Sequence, residues 1–459
     1  MTTKGWPTKS GLLLFSALAF CSLFTRAAHA EKTIAKGDDW EIYTDGRAGA
    51  FLSYIGGDGF PTPTFGTDAT GTQVQLHDVA GGGWVADDSK SDPAGQKQGT
   101  ISSMRVRTGF VGNQLGLGTR MKASDWVEVS GYIQLWSYVE ADGRQKGHLS
   151  QIDVRQGWGR VKAPWGTLTA GRQRGLFSRG ATDIDALYAH GWGVGFPANV
   201  DSAGTGGPTN GHIGFGVIGS GFAAGFVYAS PVLAGLQLTI GVYDPTESQA
   251  VNWLRTKWAR PEAELNFERP LGTLGKVALF ANGVYQPVYR PGYCVQDATH
   301  TAPCHETSEG VGYGGRLELG IFHLGLAGHY GKGLGLNYAL EVSSAAADTA
   351  GNFRTFDGYY VQTQVALGKV DVSAGWGITR VFLTDQDKAF VPDPTDATGA
   401  RQIFAHSVIK DQMGYSAGVV YHYRPYLHLD LDLFRAQADW YLGEKQVLYA
   451  ANAGMTVAW

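Results

Sequence analysis

Leu427, Leu429, Leu431 and Leu433 alternate with His428, Asp430 and Asp432, so a strand over this stretch has one apolar and one polar face. The same two-residue period returns in Val127, Val129, Ile133 and Leu135 against Glu128, Ser130 and Gln134. It returns in Val311, Tyr313, Leu317 and Leu319 against Arg316 and Glu318, and in Met413, Tyr415, Ala417 and Val419 against Gln412 and Ser416. About sixteen such segments follow one another, beginning near Trp40, Ile101, Ser124, Ser150, Gly166, Gly221, Gly235, Thr256, Lys276, Gly310, His323, Phe356, Val370, Asp411, Pro425 and Gln446. Each is long enough to cross a bilayer at a tilt, for which roughly 9 to 11 residues suffice. Short links at 163–166, 367–370 and 423–426 alternate with long polar segments at 55–100, 174–220, 286–309, 337–355 and 383–410. Tight turns on one side and long loops on the other predict an all-β fold, a transmembrane antiparallel up-and-down β-barrel of about sixteen strands.

The ends of the chain agree with that prediction. Met455, Val457 and Trp459 close the chain on a bare amphipathic strand, an aggregation hazard in water that disappears when a closed barrel pairs the last strand with the first. At the other end Lys4 and Lys9 precede an apolar run from Gly11 to Phe24, and Ala28-His29-Ala30 has the form of a cleavage site. Residues 1–30 therefore read as a signal peptide and 31–459 as the barrel. Without Lys4, Lys9 and Arg26, 34 basic residues face 41 acidic ones, a net charge near −7, which speaks against a nucleic-acid partner. Glycine, at 66 of 459 residues, is about twice as common as usual and fits many closely packed strands. Cys294 and Cys304 are the cysteines that remain after cleavage, and export to an oxidising compartment predicts a disulfide between them. A metal site built from Cys294, His300, Cys304 and His305 is the weaker alternative, because the spacing matches no usual zinc pattern.

Three stretches resemble the Gram-negative trimeric general porins. "RTGFVG" (Arg107 to Gly112) is similar to that family's second-strand motif, "RQGWGRVKAPWGTLTAGRQ" (Arg155 to Gln173) to its fourth and fifth strands, and "YASPVLAGLQLTIGVY" (Tyr228 to Tyr243) to the strands that follow its constriction loop. The resemblance implies a third loop, here 174–220, folded into the barrel. It implies pore-facing basic residues at Arg47, Arg107 and Arg155, with Arg105 sharing the parity of Arg107. Asp183 and Asp185 of "GATDIDALY" are the acidic candidates on the loop. Arg172 shares the parity of the apolar Leu168 and Ala170, and the resemblance implies a subunit contact there, with Glu140 or Asp142 as partner, and hence a homotrimer. The ending at Trp459 resembles the signal read by the barrel-assembly machinery, although phenylalanine is commoner at that position.

Enzymatic patterns are weak. His406-Ser407 has no evident third member of a triad, Glu262 and Glu264 with Arg260 read as pore lining, and "GKGLGL" (Gly331 to Leu336) precedes no helix. The sequence thus predicts a non-enzymatic outer-membrane channel for small hydrophilic solutes and ions, embedded in lipid and without cofactor. A substrate-specific channel for sugars or anions, and a barrel-scaffolded enzyme or adhesin, are the alternatives.

Overall fold

A computed structural model of the chain describes residues 31–61, 64–80, 83–84, 100–137, 153–187, 190–191, 210–245, 254–255, 258–290, 304–340, 345–398, 400–404 and 406–459. Sixteen antiparallel strands close into a barrel. They are β1 (Trp40–Asp58), β2 (Thr100–Arg107 continued by Asn113–Ser124), β3 (Val127–Ser137), β4 (Asp153–Ala163), β5 (Gly166–Arg174), β6 (Phe222–Ala229), β7 (Leu236–Tyr243) and β8 (Arg260–Pro270). The second half comprises β9 (Gly275–Tyr289), β10 (His305–Leu319), β11 (Phe322–Lys332), β12 (Thr355–Leu367), β13 (Val370–Phe382), β14 (His406–Arg424), β15 (Leu427–Trp440) and β16 (Lys445–Ala458). Each segment that the alternation marks contains one of these strands.

Closure leaves no open edge. β1 pairs with β16 from Arg47↔Ala458 to Gly57↔Leu448 and with both halves of β2 on its other side. Gly46 and Trp459 exchange backbone hydrogen bonds of 2.8 and 3.0 Å, so the final residue is paired. A further strand, Lys32–Lys36, folds back on β1 at residues 41–44 and takes the place that β16 leaves beyond Trp459. Among the described residues the strand backbones thereby pair within the sheet, as a bilayer requires.

Outward positions are apolar, as in Leu429, Leu431 and Leu433, and aromatic residues stand exposed at both rims: Trp40, Trp126, Trp165, Tyr423 and Tyr426 at the short-turn end, and Tyr54, Tyr285, Tyr359, Tyr415 and Tyr449 at the long-loop end. Such girdles seat the barrel in the two interfaces of a bilayer, with short turns on the periplasmic side and long loops outside. The long loops carry structure of their own. The hairpin Thr64–Thr67/Gln73–Ala80 reaches β14 through a parallel pairing of Asp78 with His406, and Phe390–Pro392 pairs with Gln402–Phe404. One connection on this side is short, Tyr441 to Glu444, contrary to the simple alternation of loop lengths.

β2 is the second departure from the pattern. Residues 108–112 leave the ladder between Arg107, opposite Phe51, and Gln114, opposite Arg47. Gly109 adopts φ +84°, and a Cβ there would stand 2.7 Å from the His190 carbonyl; the break makes room for the loop that enters the barrel.

Candidate functional site

The barrel interior is unevenly filled. On the upper inward faces of β9 and β12–β16, Val284, Phe356, Val381, Phe434, Ala436 and Leu448 join Trp84, Phe177, Phe215, Ile218, Leu334 and Leu340 in one buried apolar cluster. Loop residues thus pack into the lumen against this side as into a domain core.

Phe177, Phe215 and Ile218 of this cluster come from the described residues of the loop between β5 and β6, 175–221. Its short helix α1 (Arg179–Ile184) lies against β9–β11, with Gly180 seated on the Phe280 ring, where any Cβ would overlap. Glu262 of β8 accepts the backbone N–H groups of Leu176 at 2.6 Å and Phe177 at 2.9 Å, and Arg179 donates to Glu264. Asn282 accepts the Ser178 N–H, Tyr360 donates to the Ala181 carbonyl at 3.0 Å, and Gln362 bonds both Ala186 N–H and the Ile184 carbonyl. Farther along, Thr379 and Gln412 hold Gly216 and Gly214. Inward polar residues that alternation alone assigns to pore lining are therefore loop anchors, and Glu262 and Glu264 are corrected in this sense. Their signal in the sequence, two acids on one strand face, cannot tell water from a backbone N–H as the partner.

Two histidines complete the attachment. His190 lies 2.7 Å from Asp432 of β15. Burial draws the His190 imidazole down, but the Asp432 carboxylate outweighs it and holds the ring above its usual range. His212 stacks on Tyr360 at 4.3 Å and lies 3.2 Å from Asp185.

The predicted constriction residues divide accordingly. Arg47 and Arg107 face inward on adjacent strands, at 9% and 8% exposure, and both are engaged by partners. Arg105 keeps the same parity and is exposed. Arg155 stands apart from them, at a bulge near the loop-side end of β4; its guanidinium pairs with Asp153 at 3.0 Å and lies over Trp136 at 4.7 Å and Phe222 at 5.4 Å. On the loop, Asp183 is partly exposed and paired with Arg174 at 2.6 Å. Asp185 is 3% exposed and is bound to the backbone of Leu187 and His212, so it holds the loop's shape rather than facing a passage. The inward faces of β1–β5 carry further cations that the resemblance did not mark, among them Arg120 over Tyr43 at 4.2 Å and Arg160 over Trp158 at 4.0 Å.

The remaining predicted residues lie as follows. Arg172 faces outward and is exposed, its Nε donating to the Arg155 carbonyl, while Glu140 and Asp142 lie outside the described residues. Cys304 is disulfide-bonded; Cys294 lies outside the described residues. Met455 and Val457 project outward opposite Ala50 and Ala48 of β1. Ser407 is buried, donates to Glu444 and accepts the Leu442 N–H, so its hydroxyl is not poised as a nucleophile.

A closed sixteen-strand barrel with aromatic rims, apolar outside and narrowed inside by its own loop, defines a transmembrane channel protein of the outer membrane. A Gram-negative porin family model matches residues 17–429, and the chain belongs to that family. Among solved structures, the outer membrane channel DcaP of Acinetobacter baumannii is similar with a TM-score of 0.61 at 12% identity, covering 93% of this chain and 99% of that one. An anion-selective porin from Comamonas acidovorans is similar with a TM-score of 0.54 at 11% identity, covering 92% of this chain and 100% of that one. These likenesses establish a shared fold. No curated protein sequence matches.

Proposed function

We propose that the channel is passive, admits small hydrophilic solutes and ions, and has a charged constriction between the basic inward face of β1–β5 and the loop anchored on β8–β15. The observation that carries this reading is the loop's one-sided attachment through Glu262, Glu264, Gln362 and Gln412, opposite the wall that bears Arg47, Arg105 and Arg107. Glu262, Glu264 and Asp432 of the wall are occupied by loop groups, whereas Asp183 on the loop keeps partial exposure. The resulting field across the lumen orients water and dipolar solutes and hinders apolar ones. Two unit charges about 8 Å apart in water interact by only about 0.5 kcal/mol, so the constriction biases ion selectivity a few-fold.

Three channels act together in a homotrimer, with outward Arg172 at the subunit contact. The chain reaches the membrane by export, followed by insertion through the barrel-assembly machinery, which reads the strand ending at Trp459. Single-channel recording of purified full-length protein in a planar bilayer, with a salt gradient, tests these readings. Ohmic steps closing in thirds are expected. Folded, heat-modifiable protein that never conducts would overturn the channel reading.

A further inference from the structure

Below the constriction, on the inward faces of β10–β15, polar side chains close into a continuous hydrogen-bonded belt. Glu318 pairs with the Arg316 Nε at 3.0 Å, and the Arg316 guanidinium reaches His323 Nδ1 at 2.9 Å and the Gln364 carbonyl at 3.2 Å. The Gln364 amide donates to Asp371 at 3.3 Å, Asp371 receives His422 Nε2 at 3.2 Å, and His422 Nδ1 lies 2.7 Å from His428 Nδ1. Glu318 and His323 flank the turn between β10 and β11, Gln364 and Asp371 the turn between β12 and β13, and His422 and His428 the turn between β14 and β15. The belt therefore rims the short-turn mouth, a level of the lumen that the inward loop does not occupy among the described residues.

We propose that this mouth holds a second selectivity element, between Arg47 of the constriction wall and the short turns: the His422–His428 pair anchored on Asp371, which carries at most one proton charge and sets whether the belt is net negative or neutral. The proposal rests on the channel reading above.

The hydrogen-bond geometry supplies the limit of one charge. Two Nδ1 atoms 2.7 Å apart need one N–H donor and one lone pair between them. With Asp371 accepting from Nε2, neutral His422 must offer its Nδ1 lone pair, and His428 donates from Nδ1. When His422 is protonated it donates from both nitrogens, and His428 accepts after a change of tautomer. Both states keep the bonds to Asp371 and between the rings, and the Pro425 carbonyl lies beside the His428 ring as a further acceptor. A second proton sets two donors against each other and breaks the contact. The charged groups facing the pair are Asp371 on β13, Asp430 on β15 and Arg47 on β1, with His190 of the inward loop on the far side of Asp430; β16 presents only Thr456 opposite His428. Within the belt, Arg316 opposes Glu318 and Asp371, so one proton takes it from net negative to neutral.

Histidine ordinarily changes charge between pH 5 and 8, and one charge about 8 Å from a permeating ion in water alters ion preference about twofold. The test is the reversal potential of the full-length protein under a potassium chloride gradient at pH 8 and pH 5. It compares native protein, His422→Gln, His428→Gln and the double variant, each first shown to be a folded barrel by heat-modifiability. Anion preference in the native channel is expected to rise about twofold on acidification. Each single variant should show a shift of the same size, because one histidine holds as many protons as the pair, and the double variant should keep only the smaller part that His190 of the inward loop contributes. A native shift about twice that of the single variants would mean two independent histidines and overturn the shared proton. An unchanged shift in the double variant would overturn the assignment to this pair. Should the double variant not fold, native against single variants still decides. A conducting channel with no pH effect refutes this proposal alone, whereas silence at both pH values refutes the channel reading beneath it.

Discussion

Glu262→Ala tests whether the inward loop is held from the wall. The Glu262 side chain is 5% exposed, receives Leu176 N–H at 2.6 Å and Phe177 N–H at 2.9 Å, and forms an ion pair with the Arg260 guanidinium at 2.8 Å. Hydrogen bonds to a charged group are worth about 1.5–3 kcal/mol each, and removing one partner of a buried ion pair costs about 3–5 kcal/mol. The two contributions overlap, because the same carboxylate serves both N–H donors and the ion pair, so about 3–5 kcal/mol is the expected loss. At about 1.4 kcal/mol per tenfold change, states with residues 175–178 undocked become roughly a hundredfold to several thousandfold more populated. Asn282, Tyr360 and Gln362 still hold α1, so the loop loosens at its β5 end first. Single-channel recording should show larger and noisier open states, and trypsin should cut after Arg174 or Arg179, which resist in the native protein. Glu262→Gln, which keeps an acceptor oxygen but not the charge, should fall between. Quiet, native-sized steps together with full trypsin resistance in Glu262→Ala would refute the anchoring argument.

Arg107→Ala removes one charge from the basic wall and should move the reversal potential toward cations by a factor of about two; an unchanged potential would take Arg107 out of the constriction. Asp183→Asn should shift selectivity toward anions while leaving the loop docked. Asp185→Asn, at a buried carboxylate that serves the backbone N–H groups of Leu187 and His212, should instead raise open-channel noise, and the reverse assignment of the two phenotypes would contradict the burial. Gly46→Leu would drive a side chain into the Trp459 ring on the pair of strands that closes the barrel, so the yield of heat-modifiable protein should fall sharply. Asp387 in the loop after β13 is pushed up by burial but more strongly held down by hydrogen bonds from Arg354, 2.7 Å away, which leaves it below its usual value. Such a depressed group stabilises the loop at every pH above the unfolded value of about 3.9 and loses its contribution only as the pH falls through the lower folded value. Pepsin at pH 4.5 should therefore spare this loop in native protein and cut it in Asp387→Asn.

Much of the barrel was legible because its period is forced by physics. A strand between lipid and lumen must alternate, and a segment such as Leu427–Leu433 cannot do so in any other register without placing Asp430 and Asp432 in lipid. The break in β2 was not legible in this way: "RTGFVG" reads as continuous strand, and only the approach of His190 across the lumen explains why residues 108–112 leave the ladder.

By itself the sequence determined the strand number, which face of each strand looks into the lumen and the paired ending at Trp459, since all of these follow from a two-residue period and a membrane's intolerance of unpaired backbone; the inward placement of Arg47, Arg105 and Arg107 came from the family resemblance. The tertiary structure alone decided what each inward polar residue does. Glu262, Glu264, Asp185 and His190 lie on or within the same lumen as Arg107. Whether such a group meets water, a loop N–H or an opposite charge depends on contacts between residues tens to hundreds of positions apart, as between His190 and Asp432. Alternation reports the direction of a side chain; only the folded loop fixes its partner.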